Sequence, residues 1–261
     1  MSDDDTLSGE DRTITDAAPR IISISRSVTA EQPPVIFALD FPSLEAARAA
    51  AAEVAPAIGM VKVGLELFIS DGPAALAAGR DIGLPVFLDL KLHDIPETVE
   101  RAVAQAAALG ARVVTVHASG GREMLRRAVE RTKGTWLAIC AVTILTSLDD
   151  GDLGDVGLSG PVENAVVRLA KMAFEEGVRW FVCSPAEVAG LRAALGPEAV
   201  LVTPGVRPAG SDAGDQKRIA TPAQAIADGA SWVVVGRPIR DAADRLGAAL
   251  AIAQSIALAR G

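Results

Sequence analysis

At 261 residues and 26.8 kDa, half of them apolar, the chain is long enough for a large core and matches the length of one α/β barrel. A net charge of -8 and a pI near 4.9 argue against nucleic acid or an anionic membrane as the main partner, since both select basic surfaces. No run approaches the ~20 apolar residues of a membrane span, the start lacks the basic and apolar regions of a signal peptide, and two cysteines without a Cys-x-x-Cys pair suit a reducing cytoplasm and give no zinc signature.

Residues 1–32 are polar, include Asp3-Asp4-Asp5 and keep no period, so a poorly ordered extension is expected up to Pro33-Pro34, with room for a short element at 21–24. From Val35 the pattern is regular. Apolar runs of strand length recur at 35–39, 60–63, 86–90, 113–116, 137–142, 180–183, 200–202 and 232–235. Ala-rich segments with helical spacing lie between them, among them 44–57, 98–109, 122–131, 162–176 and 185–195. Val/Ile/Leu strands followed by crossover helices predict a parallel sheet, and eight such units predict closure into a (β/α)8 barrel, the TIM barrel, over 33–261. A doubly wound sheet is the alternative; no Gly-x-Gly-x-x-Gly turn follows the first strand to support it.

In such a barrel the chemistry sits where the strands end. Strand one ends in Asp40 and strand two carries Lys62 before Gly64; singly these read equally well as a cap and a snorkelling lysine, and their shared rim position favours function. Strand three runs out through Asp89-Leu90-Lys91-Leu92-His93-Asp94. Strand alternation puts Asp89 and Lys91 on one face and Leu88 and Leu90 on the other, which implies a buried ion pair on an apolar wall. Because burying ions costs several kcal/mol each unless they are paired, this pair reads as a site more readily than as a fold device. Asp94 stands three residues before Glu97 with Pro96 between, so a helix N-cap and capping box is an equal reading of it.

Strand four ends in His117 and strand five leads to Thr146-Ser147. His93 and His117 are the only histidines, a poor basis for a metal cluster, and read as supporting residues. Cys140 and Cys183 lie in apolar runs and read as inert core thiols. After strand seven, Thr203-Pro204-Gly205-Val206-Arg207 opens a Gly- and Pro-rich loop to Asp215-Gln216-Lys217-Arg218, and strand eight ends in Gly236-Arg237-Pro238. Barrels commonly bind phosphate at this end. Gly236 lets the backbone approach, a following helix start presents free N–H groups, and Arg237 offers a planar fork, with the polar loop as a lid.

The run Asp89-Leu90-Lys91-Leu92-His93-Asp94-Ile95-Pro96-Glu97-Thr98 resembles the Asp-x-Lys-x-x-Asp-Ile-Pro-x-Thr signature of the orotidine 5'-phosphate decarboxylase family. Ala38-Leu39-Asp40, Lys62-Val63-Gly64, Leu145-Thr146-Ser147, Thr203 to Arg207, Gly214 to Arg218 and Val235-Gly236-Arg237 resemble its bacterial branch in the same order, from Val35 to the C-terminus. The N-terminal extension is the one departure. The resemblance implies decarboxylation of orotidine 5'-phosphate to uridine monophosphate, with neither metal nor cofactor. It implies that Lys91 stabilises and protonates the C6 carbanion and that Asp89 faces the substrate carboxylate. Asp40 and Lys62 would contact the ribose, Thr146 the pyrimidine, and Gln216, Gly236 and Arg237 the phosphate, while Pro204 and Arg207 belong to the closing loop. Family dimers put Asp94, Ile95 and Thr98 at the neighbouring subunit's site, so a homodimer is expected.

Three rivals stay open. A magnesium-dependent 3-keto-L-gulonate 6-phosphate decarboxylase shares Asp-x-Lys-x-x-Asp but places an acidic ligand on strand two, where this chain has Lys62. A Schiff-base aldolase needs a neutral lysine, whereas acids flank Lys91. A non-catalytic phosphosugar-binding barrel would keep Gly236 and Arg237 without needing the buried charges.

Overall fold

A computed structural model of the chain describes residues 32–208 and 220–260. The eight strands are β1 (Val35–Ala38), β2 (Met60–Val63), β3 (Val86–Leu92), β4 (Val113–His117), β5 (Ala138–Val142), β6 (Trp180–Val182), β7 (Val200–Thr203) and β8 (Trp232–Val235). Each pairs in parallel with the next and β8 closes on β1, through Val35 with Val233 and Phe37 with Val235. The TIM barrel is therefore present, with strand ends within two residues of expectation. The extension expected at 1–32 lies outside the described residues except for Gln32.

Period-2 alternation divides each strand between two cores. Ile36, Met60, Phe87, Val113, Cys140 and Val202 fill the barrel interior with Trp232 and Val234. Their neighbours Phe37, Val61, Leu88, Val114, Phe181 and Val233 point outward into a larger core under the helices. Below the mouth both faces of the strands are thus mainly apolar, which is why the strands read as apolar runs.

The helices cover that outer face with narrow stripes. In Leu44–Val54 the buried residues are Ala47, Ala50, Ala51 and Val54, and Ser43 caps the start by accepting from the Ala46 amide. The sequence predicted one helix to residue 57; Pro56 instead turns 55–57 into a 3₁₀ segment. Likewise Pro185–Glu187 is 3₁₀ before the helix Val188–Leu195. The helix expected at 98–109 spans Pro96–Ala108, with Pro96 as its first residue. Among the described residues no helix is long and apolar enough to cross a membrane.

Candidate active site

The C-terminal ends of the strands meet at one mouth, and the inward parity of the interior core continues there as polar side chains: Lys62 above Met60, Asp89 above Phe87, Thr115 above Val113. They surround a cavity of about 180 Å³ lined by Lys62, Asp89, Lys91, Thr146 and Pro204 together with apolar residues that include Phe87, Ile144, Val202 and Val234. A larger hollow, about 470 Å³, is lined by none of these; three of its four acids serve the backbone, Asp149 and Glu187 in capping boxes and Asp150 by accepting from the Val162 amide at 2.7 Å. The smaller cavity holds the charged set.

Charges alternate in sign across the mouth. Lys91 Nζ donates to Asp89 Oδ1 at 2.8 Å, Lys62 Nζ lies 3.7 Å from Asp89 Oδ2, and Lys62 Nζ donates to Asp40 Oδ1 at 3.2 Å. Asp89 and Lys62 are largely buried, with side chains 14% and 12% exposed. Burial alone would raise the Asp89 carboxyl; the Lys62 and Lys91 ammonium groups, with hydrogen bonds from Lys91 and Thr115, outweigh it and hold the carboxyl below the usual carboxylate range. It is a carboxylate at neutral pH. The expected ion pair is present but only partly buried, the Lys91 side chain being 32% exposed, and it is part of a four-residue row.

Simple alternation does not describe how it forms. Lys91 has φ +52°, the left-handed region that non-glycine residues occupy at a cost of roughly 1–3 kcal/mol. The β3–β4 register jumps from Leu88 opposite Val114 to Leu92 opposite Val116, so four residues of β3 span two of β4. Across this irregularity the Thr115 hydroxyl accepts from the Lys91 amide at 2.8 Å and donates to Asp89 Oδ1 at 3.1 Å. Sequence reasoning missed Thr115. Its one signal was a polar residue at an inward position of an otherwise Val-rich strand.

Asp94 is no helix cap. The N-cap is Ile95 and makes no side-chain bond, because Pro96 starts the helix one residue too late for an Asp94–Glu97 box; the Asp94 carboxylate accepts instead from the adjacent Ile95 amide at 2.7 Å. Asp94, Ile95 and Thr98 are exposed, Ile95 by 67%, and none lines the chain's own cavity. His93 and His117 lie with ring centroids 5.3 Å apart. Burial, then the nearby His93 and Lys91, hold the His117 imidazole below its ordinary value despite Asp89. Among the described residues no group of three or more His, Cys, Asp or Glu is arranged to hold a metal ion.

At the strand-seven and strand-eight end, Arg207 is buried, its guanidinium donating to the Val206 carbonyl and its amide to the Ala220 carbonyl. A bridge between Val206 and Ala220 ties together the two ends of the loop. Gln216 lies outside the described residues. Gly236 precedes the four-residue helix Arg237–Arg240, with Arg237 exposed beside the mouth. A Cβ at Gly236 would rest in ordinary contact with Ala38 and Asp40, so closeness of packing is not what requires glycine there. Gly64 is the tighter position: a Cβ there would stand 2.9 Å from Lys62 Nζ.

Known proteins are similar to this chain in sequence and in fold. Orotidine 5'-phosphate decarboxylases from Anaeromyxobacter sp. (strain K) and Thermobifida fusca (strain YX) are 58% and 51% identical over 84% and 85% of this chain and 96% and 95% of their own. The crystal structure of orotidine 5'-phosphate decarboxylase from Lactobacillus acidophilus superposes with a TM-score of 0.76 at 37% identity, covering 87% of this chain and 99% of that one. A family model of the orotidine 5'-phosphate decarboxylase / HUMPS family matches residues 33–252, which take in all eight strands and every strand end that contributes to the charged mouth. Fold, mouth and sequence agree, and the chain belongs to that family.

Proposed function

We propose that the protein decarboxylates orotidine 5'-phosphate to uridine monophosphate and carbon dioxide, in de novo pyrimidine synthesis, without metal or cofactor, as a cytoplasmic homodimer. The observation that carries this reading is the row Asp40–Lys62–Asp89–Lys91, of which Lys62, Asp89 and Lys91 line a small apolar cavity. Breaking the bond from C6 to the carboxylate leaves the electron pair on C6, with no conjugated sink. A fixed ammonium stabilises that charge best where water is excluded and the partner charges are already in place. Lys91 supplies the ammonium and then a proton to C6, and recovers its proton from solvent. Asp89 holds the Lys91 ammonium in place through their 2.8 Å ion pair and faces the departing carboxylate.

Asp40 and Lys62 hold the ribose, Thr146 and Pro204 border the base, and Gln216, Gly236 and Arg237 hold the phosphate, with Arg207 at the base of the loop. Asp94, Ile95 and Thr98 complete the partner subunit's site, which accounts for their exposure here. Lys62 weighs against a magnesium-dependent reading, since its ammonium already occupies the carboxylates that a cation would need. Purified protein should turn over orotidine 5'-phosphate, followed by ultraviolet absorbance, at the same rate with and without chelator. Activity lost to chelator and restored by magnesium would overturn the metal-free reading.

A further inference from the structure

We propose that Thr115 is a positioning residue that holds the backbone of Lys91 in its left-handed turn and thereby aims the Lys91 ammonium; this rests on the functional reading above.

Thr115 is fully buried in β4, and its hydroxyl has one proton to give and lone pairs to receive. Both capacities are used on one neighbour strand: the Lys91 amide donates to Oγ1 at 2.8 Å, and the hydroxyl donates to Asp89 Oδ1 at 3.1 Å. The same carboxylate oxygen receives Lys91 Nζ at 2.8 Å. A closed circuit results, from Lys91 amide to Thr115 to Asp89 and back to the Lys91 ammonium.

The circuit answers a specific deficit. Where the β3–β4 register jumps, from Leu88 opposite Val114 to Leu92 opposite Val116, Lys91 has no Cα partner on β4. A buried amide left unpaired is costly, and an L residue at φ +52° persists only when its surroundings impose it. Thr115 meets the amide at that point. A side chain without a hydroxyl would fill the space but hold neither the amide nor Asp89.

The test compares Thr115→Val, which keeps shape and β-branching, with Thr115→Ser, which keeps the hydroxyl. Thr115→Val should speed amide hydrogen exchange at Lys91 at least about tenfold while Val114 and Val116 stay protected. It should lower kcat by roughly 10- to 100-fold with little change in KM, as expected for a misplaced reacting group. Thr115→Ser should restore both readouts most of the way. If the valine variant does not fold, Thr115→Ala serves for the same two measurements. Unchanged exchange at Lys91 overturns the proposed hold, and faster exchange with wild-type kcat overturns the positioning role. If the wild-type protein itself does not turn over orotidine 5'-phosphate, the functional reading fails before any variant is made, and Lys91 exchange with its serine rescue still decides whether Thr115 holds the turn.

Discussion

Lys62 is held tightly at the mouth, its Nζ lying between Asp40 and Asp89 with 12% of its side chain exposed. Its path depends on the residue two positions on. Gly64 has an extended backbone, φ -96° and ψ -172°, which alanine tolerates, yet a Cβ there would stand 2.9 Å from Lys62 Nζ and 3.4 Å from Asp40 Oδ1. A lysine tip usually swings aside cheaply; this one is held by two carboxylates. Gly64→Ala should therefore leave thermal stability within about 1 kcal/mol of wild type, the gain from a stiffer unfolded chain offsetting a slightly poorer N-cap. Catalytic efficiency should fall by roughly tenfold, because displacing the ammonium by a fraction of an ångström misaligns the row. Melting curves and steady-state kinetics on the same preparation check this, and unimpaired kinetics would mean that Lys62 has room to relax.

At the scale of the element, each strand divides its side chains between two cores, and the two thiols report on both. Cys140 faces the barrel interior and Cys183, just beyond β6, faces the helical layer; both are fully buried. Burial pushes the Cys183 thiol up to about 12 and raises Cys140 well above its ordinary value, so neither offers thiolate at pH 8. An aromatic disulfide reagent should release almost no chromophore from native protein and react at both sites in denaturant; rapid native labelling would mean that a strand opens. The same double burial made the strands legible, since runs apolar on both faces stand out from amphipathic helices. The charged pair was legible too, because Asp and Lys interrupt such a run. The turn at Lys91 was not: alternation presumes a regular strand, and nothing in Leu88 to Leu92 announces a register jump. Thr115 was hidden for a related reason, as a β-branched residue among valines looks like strand filler. Asp94 was ambiguous because a cap spacing differs by one residue from the start that Pro96 imposes.

At the scale of the whole molecule, the mouth and the exposed segment after β3 belong to one motif but face differently. Lys91 lines the chain's own cavity, whereas Asp94, Ile95 and Thr98 stand outside it, with Leu65 and Ile69 of the helix Leu65–Asp71 also exposed, by 52% and 80%. Exposed apolar side chains invite a covering surface, and in a two-fold dimer each chain would lend its Asp94 to the other's Lys91. Lys91→Ala and Asp94→Ala homodimers should then each be nearly inactive. In a mixed dimer one site collects both defects, while the other combines intact Lys91 from the Asp94 variant with intact Asp94 from the Lys91 variant. With equal amounts and free exchange, about half the dimers are mixed and half their sites are restored, so about a quarter of wild-type activity should return. Differently tagged subunits establish that mixed dimers have formed. Mixed dimers no more active than their parents would mean that Asp94 serves its own chain and that the exposed segment after β3 has some other use.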